Sequence, residues 1–162
     1  MPEHATAQVI VAFLRTIGLG VREAPIDGPT VLPGITIARG ELVVDPARLA
    51  YPGDLLHEAG HLASVPAAER SAIDGDAGSD GGLEMAAIAW SYAALCHLGL
   101  DPAVVFHDDG YVGGARNLIE NFAAGRFVGV PVLQWLGMTA EPKRAAELGI
   151  GPYPGMIRWL AE

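Results

Sequence analysis

The stretch Asp54–Ala63, D-L-L-H-E-A-G-H-L-A, places His57, Glu58 and His61 in the spacing H-E-x-x-H, and the apolar Leu55, Leu56, Ala59 and Leu62 around them predict a helix. At 3.6 residues per turn, side chains four apart share a face, so both imidazoles can reach one metal ion while Glu58 points about 100° round the axis. Two neutral histidines suit zinc (Zn²⁺), and the carboxylate between them is placed to take a proton from a water that the metal polarises. The alternative is a helix whose two histidines satisfy local hydrogen bonds.

The chain around this motif has 162 residues, 51% of them hydrophobic, enough to bury a core in one domain spanning residues 1–162. Nine arginines and one lysine against nineteen acids give a formal charge of −9, a surface poorly suited to nucleic acid or to an anionic membrane. Cys96 has no second cysteine to pair with, which fits a reducing compartment, and its apolar surroundings suggest a small buried side chain. The N-terminus carries an acid where a signal peptide would be basic, so the expectation is a soluble, cytoplasmic protein.

Residues 5–17 predict an amphipathic helix with Val9, Phe13 and Ile17 on one stripe. Ile35–Ala38 and Glu41–Val44, separated by Arg39-Gly40, predict a hairpin. Asp54 is a good N-cap for the motif helix. Residues 71–82 form a loop rich in Asp and Gly, which fails as an EF-hand: counted from Asp74, Ser79 stands where Gly is wanted and Met85 where Glu is wanted. Asp80 caps an almost wholly apolar helix over residues 81–98, too short and too punctuated to span a membrane and therefore central and buried. A helix from Gly113-Gly114 to about Ala124, a core segment from Val132 to Leu136 and a short closing helix in M-I-R-W-L complete the chain. Trp90, Trp135 and Trp159 are expected to pack in the core.

The motif resembles the active-site helix of the zincin metallopeptidases. The metzincin continuation H-x-x-G-x-x-H is absent, because Ser64 and Ala67 occupy its glycine and histidine positions. The gluzincin pattern takes its third ligand from a glutamate on a second helix, and Glu84 follows His61 with 22 residues between them (84 − 61 − 1). Asp76, Asp80 and His107 are other candidates without a comparable spacing. The aspartate that thermolysin-like enzymes place four residues after the glutamate is here Ile88, so the support of the histidines has to come from elsewhere. Ser91, Asp101, Asp108 and Asp109 are the candidates.

The resemblance implies an α+β fold, mainly helical, with a zincin-like helical core and a small β-hairpin or sheet whose edge can pair with extended substrate. It implies a zinc metallopeptidase in which His57, His61 and Glu84 bind Zn²⁺, Glu58 is the general base, and a Tyr, His or Arg stabilises the oxyanion. His107, Tyr111 and Arg116 are the residues of those types. The expected partner is a peptide or protein substrate, and the apolar fraction suggests a homodimer through an exposed patch. A non-catalytic metal-binding or regulatory module, and a metal-free helical domain, are the alternative readings.

Overall fold

The computed structural model describes residues 2–75, 77, 80–111 and 113–162. The EF-hand comparison and the candidate ligand Asp76 fall partly or wholly outside them. Seven helices and three strands follow in the order α1 (Glu3–Thr16), β1 (Val21–Glu23), β2 (Ile35–Ala38), β3 (Glu41–Val44), α2 (Asp54–Ala63), α3 (Ala67–Arg70), α4 (Gly81–Leu98), α5 (Ala115–Ala123), α6 (Val130–Trp135) and α7 (Pro142–Leu148) among the described residues. A 3₁₀ turn, Pro102–Val104, lies between α4 and α5. The class is α+β, mainly helical, with one small mixed sheet.

The hairpin forms with the expected ends, Ile35 opposite Val44 and Ala38 opposite Glu41. Its two turn residues, Arg39 and Gly40, both have positive φ, as a tight two-residue hairpin turn requires. Strand β1, which the sequence shows only as a break in helical pattern, pairs in parallel with β3 and makes the order β1-β3-β2. Alternate residues Ile35, Ile37, Leu42 and Val44 join Val21 in the core.

Buried side chains from Ile10 to Ala161 form one cluster, with α4 through its middle: Ala86, Ala89, Trp90, Ala93, Ala94 and Leu95 are wholly buried. Helix α2 lies directly on α4. At their crossing a Cβ added to Gly60 would come within 2.9 Å of the Cα and carbonyl oxygen of Ala87, so a glycine is required for the approach. Gly129 does the same work at the start of α4: its φ is +81°, and a Cβ there would overlap the Met85 carbonyl.

Gly60→Ala gains up to about 1 kcal/mol of helix propensity but overpacks the crossing. A net loss of about 1–2 kcal/mol is expected in urea unfolding of the metal-free protein, read as a lower midpoint at unchanged slope. An unchanged or raised midpoint would show that the crossing tolerates the methyl group.

Several expectations are corrected. The buried stripe of α1 is Thr6, Ile10, Phe13 and Leu14, with Val11; Val9 and Ile17 are half-buried. Asp54 is the first residue of α2 rather than its cap: Gly53 holds the cap position and no side chain caps it. Cys96 is exposed. Trp135 is 84% exposed, because Val130 and Leu133 set the inward face of α6 and a residue two further on projects about 200° away. Trp90 packs as expected, its indole N–H donating to the Trp159 carbonyl at 2.9 Å.

The closing helix does not form. Met156 bridges to Thr139, the amides of Ile157 and Arg158 donate to the Met138 carbonyl, and Ala161 donates to Ala63. These backbone groups are committed to other segments, which leaves no i to i−4 ladder. Asp80 caps α4 as its sequence implies, accepting from the Leu83 amide at 3.0 Å. Among the described residues no helix is long and apolar enough to cross a membrane.

Candidate metal centre

The crossing of α2 and α4 builds the site. On α2, His57 lies three residues before Gly60 and His61 directly after it; on α4, Glu84 lies three residues before Ala87. Each ligand candidate is therefore within one turn of the contact point. Met85, whose carbonyl Gly129 approaches, is the next residue, so α6 supports the same end of α4.

The Nε2 atoms of His57 and His61 are 3.2 Å apart. The two oxygens of Glu84 lie 3.3 Å from His57 Nε2 and 2.8 Å from His61 Nε2. Two ring hydrogens at most would have to serve three close contacts. Around a cation, by contrast, two imidazole lone pairs and a carboxylate can all point inward. In a tetrahedral zinc site with bonds of about 2.0–2.1 Å the ligand atoms stand roughly 3.3 Å apart, the scale of the contacts found here. His57, Glu58 and His61 form a group that could hold a metal ion, their ligand atoms lying within 4.8 Å of one another. The donor set fits such an ion.

The electrostatics agree with an anionic third donor. Hydrogen bonds from His57 and His61 hold the Glu84 carboxyl well below the usual carboxylate range, against the opposing effect of burial. Its side chain is 44% exposed, whereas the histidines are largely covered. Glu58 is half-buried and faces a cleft that Val31, Leu32, Ile35, Thr36 and Gly75 also line. The cleft has a volume of about 10 Å³, room for roughly one water.

The support of His57 comes from a residue proposed for a different task. The Tyr111 hydroxyl lies 2.6 Å from His57 Nδ1. Burial, followed by the charges of Glu84, Asp54 and Glu58, raises the phenol's pKa, so this oxygen keeps its proton. With a metal on Nε2, the ring proton would sit on Nδ1 and donate to that oxygen, the arrangement metal-binding histidines commonly have. Ile88, where an orienting carboxylate was missed, accepts through its carbonyl from buried Ser91. Asp101 accepts from the Ala103 amide in the 3₁₀ turn, and Asp109 accepts from the Tyr51 hydroxyl.

His107 is held elsewhere, its Nε2 2.7 Å from Asp54 and its Nδ1 3.1 Å from the Gly110 amide. Arg116 is exposed on α5 and lines a groove with Phe106, His107 and Asp108. The structure thus brings His57, Glu58, His61 and Glu84 together with Tyr111 against His57, while His107 and Arg116 stand on other contacts. The edge of β2 is engaged too: the Gly75 amide donates to the Ile37 carbonyl at 2.6 Å, and the Thr36 hydroxyl to the Gly75 carbonyl at 3.4 Å.

The chain matches no family model, no curated protein and no solved structure.

Proposed function

We propose that the chain is a zinc-dependent metallopeptidase of the gluzincin type, in which His57, His61 and Glu84 hold the metal and Glu58 is the general base. The observation that carries this reading is the convergence of two imidazole nitrogens and a carboxylate within 2.8–3.3 Å, beside a second carboxylate, across the α2–α4 crossing. Bound zinc would act as a Lewis acid, polarising the amide carbonyl and lowering the pKa of water.

Glu58 takes one proton from the water whose oxygen bonds to the amide carbon. It delivers that proton to the nitrogen as the C–N bond breaks, so that a carboxylic acid and an amine leave. Tyr111 fixes the ring of His57. A peptide laid along the β2 edge takes the hydrogen bonds at Thr36 and Ile37 that Gly75 now makes, which requires that contact to open.

The second reading is a non-catalytic metal-binding or regulatory module. In its favour is the small cleft beside Glu58, of about 10 Å³, room for one water but not for a peptide side chain. Incubation of the zinc-loaded protein with a mixture of unstructured peptides, read by mass spectrometry, separates the two. Cleavage that a chelator abolishes and zinc restores is the expected result. One bound zinc per chain without any cleavage would establish the module instead.

A further inference from the structure

The segment that carries Tyr111 is fastened to α2 at a second point, and neither the metal nor the chemistry of hydrolysis accounts for it. Asp54, one turn before His57, has a side chain only 6% exposed and accepts from His107 at 2.7 Å. The Gly110 amide donates to His107 Nδ1, which places the ring proton on Nε2, facing Asp54. The ring of Tyr51, just ahead of α2, stacks on His107 with centroids 4.1 Å apart, and its hydroxyl donates to Asp109. Burial pushes the Asp54 carboxyl up, and the His107 hydrogen bond opposes that shift.

The same turn then closes on itself, because the Tyr111 amide donates to the His107 carbonyl at 3.0 Å. The two anchors are spaced to match. Asp54 and His57 are three residues apart on one face of α2, and His107 and Tyr111 are four apart across one turn of chain. Gly53 lets the turn come close, since a Cβ there would overlap the Val104 carbonyl.

We propose that Asp54 and His107 form a latch that positions the Tyr111 hydroxyl against His57 Nδ1, and thereby fixes the orientation of a metal-ligating imidazole. His107 is in this account a positioning residue that acts through Tyr111. The effect on metal affinity rests on the metal-centre reading; the positioning of the His57 ring does not.

The test compares wild type, Tyr111→Phe, His107→Ala, His107→Gln and the double variant Tyr111→Phe/His107→Ala, each checked for its fold by its backbone amide spectrum. The first readout is the ¹⁵N shift of His57 Nδ1 in the metal-free protein, which reports the hydrogen bond whichever partner donates. It is expected to move in Tyr111→Phe, to move the same way in His107→Ala, and to stay near wild type in His107→Gln, whose amide N–H can still reach Asp54. The second readout is zinc affinity by chelator competition. Tyr111→Phe is expected to weaken it by about 10–100-fold, His107→Ala in the same direction, and the double variant no further than Tyr111→Phe alone.

A His57 shift unmoved in His107→Ala, or losses of affinity that add in the double variant, would overturn the latch. Should the wild type take up no zinc, the metal reading fails alone, and the ring shift still decides whether the latch holds His57.

Discussion

Glu58→Gln is expected to keep the metal and the fold while lowering peptide hydrolysis by about 10²–10⁴-fold, the usual worth of a positioned general base. Glutamine has nearly the same shape as glutamate, and Glu58 is only half-buried, so the substitution disturbs little packing. It removes the one property that the mechanism requires, an oxygen that can accept a proton from water and return it to the amine. Zinc content and turnover should be measured on the same preparation, made in cells without the wild-type chain. Turnover retained in that preparation would defeat the mechanism while leaving the metal centre standing. Loss of both zinc and turnover would instead assign Glu58 a place among the ligands, close to which it lies.

The second large effect concerns the metal itself. His61→Ala and Glu84→Ala, each made separately, are expected to weaken zinc binding by at least about a hundredfold, since loss of a ligand costs no less than loss of a residue that only orients one. At free zinc near 100 times the wild-type dissociation constant, binding stabilises the folded chain by about 2.7 kcal/mol; a hundredfold weaker variant retains roughly 0.4 kcal/mol. Unfolding with and without zinc measures this directly, and the metal-free arm isolates what each substitution does to the fold. That control matters for His61, which is buried and lies 2.8 Å from Glu84. Wild-type affinity in Glu84→Ala would remove Glu84 from the site. No zinc in the wild type, and none taken up on addition, would withdraw the metal and the enzyme together.

Much of this site was legible in the chain because its parts are local. The i, i+4 histidines need only a helix, and the turn at Tyr51-Pro52-Gly53 and the apolar flanks supply one. Glu84 was singled out by spacing, and it meets the histidines because Asp80 starts α4 four residues earlier and Gly60 lets α4 settle onto α2. Tyr111 was picked out for its type but without its neighbour: its hydroxyl lies 2.6 Å from His57 Nδ1, a contact set by a 54-residue separation that no pattern encodes. The Asp54–His107 contact, 53 residues apart, was not foreseen, because an acid at a helix start already has a sufficient local explanation as a cap.

By itself the sequence determined the H-E-x-x-H helix, the hairpin and its turn, the buried helix over residues 81–98 and the acidic surface. Each of these follows from periodicity, turn chemistry or composition within one segment. Only the tertiary structure decided where the ends of those segments meet. It exposed Trp135 and Cys96, which lie in apolar runs with too little polar contrast to mark an outer face. It laid the last residues down as turns and bends rather than a helix, because amides of Ile157, Arg158 and Ala161 are taken by the carbonyls of Met138 and Ala63. It also set Glu84 and Tyr111 on opposite ring nitrogens of His57. Such contacts depend on side chains from distant segments packing at one crossing, and that packing is a property of the whole core.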